Sequence, residues 1–458
     1  MAKDKKIELF ESVPVPKAVI TLSVPTIISS LVALLYSLAD TYFVGMLNDP
    51  VQTAAVTLAA PVLLAFNAVN NLFGVGSSSM MSRALGRGDL KTLRQSSAFG
   101  FYGALVSGII YSIVCSILLS PLLKLLGADA TTMEATSRYM LWTVCLGAAP
   151  SIMNVVMAYL IRSEGATLHA SLGTMSGCIM NIILDPIFIL PWGLNMGAEG
   201  AALATMISNC CATLYFFGYL FFKRKSTYVC ISPKEFTLRK EIVGGVCKVG
   251  VPASIQNLLN VISHMLANNL VSPYGAAALA GMGIASKIAL VPWYVSNGIS
   301  QGVMPLVGYT YAAKKLERMK HALKFTVKLS EGFLCAIAVL CCLLSRQIVG
   351  AFIDDPQTVA YGSAFMYGLC LSIPFLAMDF VAIGVFQALG RGSLSLLMAV
   401  LRKLVFEIPA LYVLNKLFPL YGLSCAQLTA EVCMAAIGSV LLVRLIRSIE
   451  RKPANPAA

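Results

Sequence analysis

The sequence predicts an all-α integral membrane protein with twelve transmembrane helices, arranged as two six-helix bundles around a central cavity. Three observations indicate this class: an apolar composition, twelve long apolar runs, and a repeat that divides the chain into two matching halves. Of 458 residues, 58% are hydrophobic and only 12% are charged, whereas a soluble domain carries about 25% charged residues. The composition therefore excludes a soluble domain as the main body of the chain.

Each apolar run is long enough to cross the hydrocarbon core of a bilayer, which takes about 20 helical residues. The runs lie near residues 18–44, 54–80, 97–120, 138–161, 169–191, 198–222, 248–272, 277–304, 325–345, 361–388, 395–415 and 422–446. The first run follows a lysine-rich N-terminus. It is longer than the apolar part of a signal peptide and ends in no small-residue cleavage site, so we expect it to be a retained helix.

The net charge of +13 reflects membrane topology rather than binding to nucleic acid. Most of the 34 Lys and Arg residues lie near the termini or in the loops that follow even-numbered spans. Cytoplasmic loops carry the excess of Lys and Arg in multi-span proteins. We therefore expect both termini to be cytoplasmic and the protein to lie in the plasma (inner) membrane.

The two halves of the chain align with each other. SVPTIISS at Ser23 to Ser30 matches GVPASIQN at Gly250 to Asn257, so Pro25 falls on Pro252. Six spans in each half give both halves the same orientation, which is typical of parallel repeats in secondary transporters. The predicted domains are an N-lobe of residues 1–225, a cytoplasmic loop of residues 226–247, a C-lobe of residues 248–447 and a cytoplasmic tail of residues 448–458.

Pro25 lies one to two turns into the first span. A proline inside a helix removes a backbone hydrogen bond and bends the helix. The bend could be a static kink or a conformational hinge that changes between transport states, and the sequence leaves both interpretations open.

Asp40 is a carboxylate inside the first apolar span. Insertion scales give a cost of roughly 2.5–3.5 kcal/mol for such a residue at the centre of a helix, and intramembrane charges usually face a cavity and carry out a function. Its position in the second half is taken by Leu266 or Ala267, so the charge belongs to the first half alone.

Four further polar residues of the first half lie at the depth of Asp40. Asn181 and Asp185 are one turn apart in span five, Thr205 lies in span six, and Tyr36 is one turn from Asp40. At 1.5 Å per residue, all sit roughly 10 Å inside the exterior boundary. Oxygen ligands suit a hard cation such as Na⁺, and two desolvated carboxylates could instead share a proton. Interhelical hydrogen bonding or helix capping would be the structural alternative.

The chain resembles the multidrug and toxic compound extrusion (MATE) transporters over nearly its whole length. The resemblance rests on YSLADTYFVG at Tyr36 to Gly45, LFGVGSSS at Leu72 to Ser79, NIILDPIFI at Asn181 to Ile189 and GAEGAALATMIS at Gly197 to Ser208. It implies that Asp40, Asn181, Asp185, Thr205 and Tyr36 form a proton- or sodium-responsive site, and that the chain exports organic, often cationic, drugs in exchange for H⁺ or Na⁺ by alternating access.

One branch of that family depends on a glutamate in span seven, and this span contains none. The chain is therefore more similar to the branch that couples through an N-lobe aspartate (DinF-like). Asp379 matches the aspartate of the other branch only approximately, which leaves a C-lobe ion site open.

Several side chains are candidates for the wall of a substrate cavity. Gln256 and Asn260 lie one turn apart in span seven and form a polar stripe with His264. Methionines suit promiscuous ligands because their side chains are flexible and polarizable. The expected cavity residues are Gln256, Asn260, Asp379, Met157, Met282 and Phe66.

Other functions find little support in the sequence. The chain has no phosphate-binding loop for ATP and no zinc-protease or serine-hydrolase motif, so we expect a transporter rather than an enzyme. Its 13 cysteines show no paired spacing, so we expect no metal beyond a possible Na⁺ and no cofactor besides the coupling ion. We expect a monomer whose partners are small organic cations or drugs and membrane lipid. The alternatives are a flippase for lipid-linked oligosaccharides, with a strongly cationic cavity, and a non-transporting receptor or scaffold.

Overall fold

The structure, a computed structural model, describes residues 2–451 and is helical nearly throughout. The first half consists of α1 (Ala2–Glu11), α2 (Val15–Gly45), α3 (Pro50–Asn70), α4 (Gly76–Gly86), α5 (Leu90–Ile117), α6 (Leu119–Leu125), α7 (Met133–Met140), α8 (Ala148–Ser163), α9 (Thr167–Ile189) and α10 (Ala198–Phe222). A π-helical turn at Asn71–Val75 joins α3 to α4, and a second at Leu141–Leu146 follows α7.

The second half repeats this plan. It consists of α11 (Lys240–Val271), α12 (Ala276–Ala312), α13 (Leu316–Leu343), α14 (Ser345–Gly350), α15 (Pro356–Ala388), α16 (Gly392–Val400), α17 (Ile408–Leu417) and α18 (Gly422–Arg451). A π-helical segment, Leu401–Glu407, links α16 to α17. Short 3₁₀ turns lie at Pro233–Glu235 and Ser272–Tyr274.

The all-α membrane class is confirmed. Among residues 2–451, ten helices are long and apolar enough to cross a membrane, and a bent pair formed by Met133–Leu146 and Ala148–Ser163 makes an eleventh candidate. That pair corrects the expectation of one continuous helix at residues 138–161, because its axis bends by 48°. The bend falls at Gly147, whose added Cβ would lie 2.4 Å from the Trp142 carbonyl oxygen. Pro150, which cannot donate a backbone hydrogen bond, follows the bend.

The remaining predicted span, residues 395–415, is also helical but is divided among α16, the π-helical segment and α17. It carries three buried charged residues, Arg402, Lys403 and Glu407. Two helices of the second half also extend beyond the boundaries that the sequence predicts. α11 begins at Lys240, inside the segment expected to be a loop, and α18 continues into the expected tail as far as Arg451. Residues 452–458 of that tail lie outside the described residues.

The two halves meet at the end of the bundle that carries α1, which we call the N-terminal face. A single hydrophobic core there includes Leu22 and Met80 of the first half with Leu306 and Val385 of the second. A separate core around Phe365 lies deeper in the second half. The halves are thus packed together at the N-terminal face, and cavities lie between the helices beyond it.

Small residues allow the backbones of the two halves to approach each other closely. A Cβ added to Gly298 of α12 would lie 2.8 Å from the Ile27 Cα, and one on Gly302 would lie 2.7 Å from the Leu22 carbonyl oxygen. The Thr26 hydroxyl donates a hydrogen bond of 2.7 Å to the Gly298 carbonyl. Glycines at membrane helix interfaces permit such contacts, and here they join α2 to α12.

Pro25 lies within α2, which continues through it as one helix from Val15 to Gly45. Because proline has no N–H group, the carbonyl of Thr21 loses its usual helical partner. The Thr167 hydroxyl lies 3.4 Å from this carbonyl oxygen and donates to it. Freed carbonyls of membrane helices are commonly satisfied by Ser or Thr side chains in this way.

We predict that Gly298→Ala destabilises the protein by about 1–3 kcal/mol, because the methyl group forces α2 and α12 apart. The matched change Gly332→Ala, at a glycine with no atom within 4 Å of an added Cβ, should stabilise the helix by up to about 1 kcal/mol. Thermal unfolding in detergent measures both effects. Equal shifts for the two variants would contradict the proposed packing.

Candidate functional site

The candidate coupling site lies where α2, α9 and α10 pack together. α2 carries Tyr36 and Asp40 one turn apart, α9 carries Asn181 and Asp185 one turn apart, and α10 carries Thr205. Residues four apart share one face of a helix, so each helix presents its polar pair in one direction. The packing of the three helices brings all five expected residues into one region.

Close packing of α9 on α10 sets the geometry of this region. A Cβ added to Gly177 would lie 3.0 Å from the Ala212 Cβ and 3.1 Å from the Ser208 carbonyl oxygen. One turn further along α9, the Asn181 amide donates to the Thr205 hydroxyl at 3.2 Å. Small residues therefore position an amide and a hydroxyl in contact across the two helices.

The two carboxyl groups and the phenol interact through space. Asp185 is fully buried and Asn181 is nearly so, whereas Asp40 is half-buried. Asp185 interacts electrostatically with Asp40. Tyr36 interacts with both carboxyl groups and lies within hydrogen-bonding reach of the Thr205 hydroxyl.

Four buried oxygen atoms of this cluster have no hydrogen-bond donor among residues 2–451. They are Asp40 Oδ1, Asn181 Oδ1, Asp185 Oδ1 and Asp185 Oδ2. An unpaired buried acceptor costs about 1–3 kcal/mol, and a charged one costs more. A bound proton or an oxygen-coordinated cation would relieve this cost, so the donor set fits either ion. Over the same described residues, no group of three or more His, Cys, Asp or Glu side chains gathers as a metal cluster.

Tyr139 is a further member of the cluster that the sequence analysis missed. Its side chain is buried and interacts electrostatically with Asp40, Tyr36 and Asp185. It lies at the end of α7, directly before the π-helical turn that precedes the bend at Gly147. Regular helical spacing along the sequence does not predict the direction in which Tyr139 points, because the helix becomes irregular directly after it. The sequence therefore carries no clear signal for Tyr139.

A second candidate site is a pair of adjoining cavities that share Asn257, Asn260 and Trp293. The first, of about 100 Å³, lies between the halves, since Asn71 and Tyr159 line it together with residues of the second half. The second, of about 280 Å³, lies within the second half.

Three of the six expected cavity residues line these cavities: Gln256 and Asn260 line the first, and Asn260 and Met282 line the second. The other three do not line either cavity. Met157 is fully buried within the shared core, and Phe66 packs edge-on against Tyr111 with ring centroids 5.3 Å apart. Asp379 is fully buried and forms an ion pair.

That ion pair belongs to a charge network behind the larger cavity. The Arg402 guanidinium donates to Asp379 Oδ2 at 2.9 Å and also to Glu431. The Lys403 ammonium lies 2.6 Å from Glu407 Oε2. Arg402, Lys403 and Glu407 line the cavity. The sequence shows that the predicted span 395–415 contains charged residues. It does not show that Arg402 pairs with Asp379 of α15 and Glu431 of α18.

Known proteins resemble this chain in both sequence and fold. The family model described as MatE matches the chain twice, over residues 25–187 and 252–413. The two matches begin at Pro25 and Pro252, which confirms the repeat. The chain is 32% identical over 445 residues to the multidrug export protein MepA of Staphylococcus saprophyticus, covering 97% of both chains. It is 32% identical over 448 residues to MepA of Staphylococcus aureus, again covering 97% of both.

Solved structures of this family superimpose closely. One described as the outward-facing conformation of a multidrug resistance MATE family transporter has a TM-score of 0.92 at 25% identity, covering 98% of this chain and 99% of its own. A MATE structure in complex with MaL6 has the same TM-score and identity and covers 98% and 100% of the two chains.

We predict that Asp185→Asn raises the thermal stability of the ion-free protein at pH 8, because it removes a buried charge and supplies donors to unpaired oxygens. A gain of about 1–3 kcal/mol is expected. Asp354→Asn, on an exposed loop, is the control and should change nothing. A lower stability of Asp185→Asn than of the wild type would contradict the unpaired-charge interpretation.

We also predict that Arg402→Leu destabilises the protein by about 3–5 kcal/mol, because it leaves Asp379 and Glu431 buried without a counter-charge. Adding Asp379→Asn and Glu431→Gln to the same variant should recover much of this loss. Chemical or thermal unfolding of the single and triple variants provides the measurement. Failure of the triple variant to recover any stability would show that the network does not act through charge compensation.

Proposed function

The chain belongs to the MatE family, and we propose that it is a secondary active antiporter that exports organic, mainly cationic, multidrug-type compounds in exchange for H⁺ or Na⁺. The observation that carries this proposal is the cluster of Asp40, Asn181 and Asp185, with four buried oxygen atoms that lack donors. Such a site can bind and release a small cation at low energetic cost. Multidrug export is the activity in the names of the MepA relatives.

The positive-inside pattern assigns the N-terminal face to the cytoplasm of a plasma membrane, with both termini inside. On this assignment the structure is closed towards the cytoplasm. The similarity to a transporter described as outward-facing supports the same state. Asp40 then lies near the outer end of α2, where a cation can enter from outside.

Transport follows from alternating access of two lobes, residues 1–225 and residues 248–447, joined by residues 226–247, which include the start of α11. In the outward-facing state, cation binding at Asp40 and Asp185 neutralises the cluster as the exported compound leaves the cavity. Reorientation then opens the cytoplasmic side, where the cation is released and a new substrate binds. Pro25 lies in α2 between the cation site and the closed face, which suits it to act as the hinge. The cycle requires one copy of the chain and no cofactor.

The substrate surface we propose is the lining of the two adjoining cavities. Gln256, Asn260 and Met282 provide amide groups and a flexible thioether, and Trp293 provides an aromatic face for a cation or ring. Met157, Phe66 and Asp379 are not part of this surface, because they do not line the cavities in this structure.

The observations favour a multidrug substrate over a lipid-linked diphosphate. Arg402 and Lys403 line the larger cavity, but each is paired with a carboxylate. A diphosphate would need cations that are free to bind it. A receptor or scaffold would have no use for a buried cluster of unpaired acceptor oxygens.

We predict that Asp40→Asn abolishes coupled export and that Asp185→Asn reduces it at least about tenfold, because a neutral amide cannot exchange a proton or balance the charge of a bound cation. Efflux of a fluorescent cationic dye from energised cells measures this, with protein levels compared by immunoblot. Asp354→Asn should export normally. Normal efflux by both site variants would refute the assignment.

The coupling ion is decided by reconstitution into proteoliposomes. Dye uptake driven by a pH gradient without sodium would identify H⁺, and uptake that requires a sodium gradient would identify Na⁺. Either response should vanish in Asp40→Asn. Equal, gradient-independent uptake by the wild type would contradict antiport.

A further inference from the structure

The N-terminal helix α1 lies across the closed face and contacts both halves of the protein. It is joined to α2 by only three residues, Ser12, Val13 and Pro14. Its contacts on each side are ion pairs, hydrogen bonds and one buried ring. Because these contacts connect parts of the chain that must separate when this face opens, they bear on the transport cycle.

On the first half, α1 is anchored at the loop between α8 and α9. The Lys6 ammonium lies 2.5 Å from Glu164 Oε1. Glu164 is almost completely buried and also accepts hydrogen bonds of 3.0 Å from the Tyr219 and Thr227 hydroxyls. Among the side chains that the structure describes, Lys6 is the cation paired with this carboxylate. Since a buried charge without a partner is strongly destabilising, this contact fixes α1 to the first half.

Phe10 fills the joint between the halves. Its side chain is fully buried. Its ring stacks on Tyr309, at the end of α12, with centroids 4.9 Å apart. On the opposite side, Gly165 adopts a φ of +84°, and a Cβ there would lie 2.8 Å from the Phe10 ring. One apolar side chain of α1 is therefore held between the two halves.

On the second half, α1 is held through the exposed carbonyls at its C-terminal end. The last carbonyls of a helix have no partner within it and attract cations. Arg318, in the first turn of α13, donates to the carbonyl oxygens of Phe10 at 2.5 Å, Leu9 at 3.2 Å and Val13 at 2.5 Å.

Glu11 adds an ion pair to this second anchor. Its Oε1 lies 2.9 Å from the Lys315 ammonium and accepts a hydrogen bond of 2.8 Å from the Tyr309 hydroxyl. Hydrogen bonds from Lys315 and Tyr309 lower the pKa of Glu11 from its ordinary value. Glu11 is therefore ionised at neutral pH, and the ion pair is present under cytoplasmic conditions.

We propose that α1 is a latch that holds the cytoplasmic face closed, and that its contacts with Arg318, Lys315 and Tyr309 break each time the protein opens inwards. This inference rests on the proposed alternating-access function. The second-half contacts are the ones that break, because the three-residue link and the Lys6–Glu164 pair keep α1 with the first half. The latch thereby biases the resting protein towards the outward-facing state.

Electron–electron distance measurements on the full-length protein test this role. Nitroxide labels are attached through a non-cysteine unnatural residue at Arg87 and Glu317, because the chain has 13 cysteines. Both positions are exposed on the closed face, one in each half. Arg318→Ala should shift the distribution towards the longer, inward-facing distance and raise the ratio of inward to outward states at least about tenfold. One hydrogen bond to a charged group corresponds to about that factor, and Arg318 donates three.

Lys324→Ala is the matched control, since Lys324 is exposed on the same helix and should leave the distribution unchanged. Arg318→Lys should give an intermediate shift, because one ammonium cannot reach all three carbonyls. A folded Arg318→Ala protein with the wild-type distribution would overturn the proposal. If Arg318→Ala does not fold, Lys315→Gln is measured instead; a smaller shift in the same direction supports the latch and an unchanged distribution overturns it.

Dye export by Asp40→Asn is measured in parallel. Normal export by that variant would contradict the proposed function without altering the distance measurement, so the two proposals fail separately.

Discussion

A charge in the apolar interior of this protein must be paired, neutralised by a proton or bound to an ion, because its desolvation is otherwise too costly. The two halves meet this constraint in different ways. In the second half, Arg402 is paired with Asp379 and Glu431, and Lys403 with Glu407. In the first half, Asp40 and Asp185 have no cationic partner among the described residues, and three of their four carboxyl oxygens are buried without a donor. The charged residues of this network in the second half are therefore compensated within the protein, whereas Asp40 and Asp185 are not.

The same backbone plan thus supports two kinds of chemistry. The repeat is visible in the two family matches, which begin at Pro25 and Pro252, and in the equivalent helices of each half. Replacing Asp40 by Leu266 or Ala267 in the second copy leaves the fold unchanged. In that half, the buried cationic residues of the π-helical segment Leu401–Glu407 line the larger cavity and are paired with carboxylates. Under the proposed function, the first half would respond to the coupling ion while the second presents a stable surface to the substrate.

A single helix, α2, connects the coupling site to the closed face. Asp40 lies near one of its ends, and Thr26 and Ile27 contact α12 closer to the other. Loss or gain of charge at Asp40 changes how favourably this end of α2 packs against α9. Pro25 removes the helical hydrogen bond to the Thr21 carbonyl, on the N-terminal side of these contacts. The start of α2 can therefore move with some independence of the segment that carries Thr26, Ile27 and Asp40. This arrangement provides a physical route by which ion occupancy and closure bias each other.

The sequence by itself determined the all-α membrane class, the positions of ten helical spans among residues 2–451, the repeat and the five residues that lie together in the candidate coupling site. Each of these depends on composition, run length or spacing within one helix, which are local properties. Only the tertiary structure decided what lies opposite each side chain. It added Tyr139 to the site, paired Asp379 with Arg402 instead of exposing it, and buried Met157 away from the cavities. These outcomes depend on helix bends and on contacts between distant segments, and neither follows from the order of residues within a span.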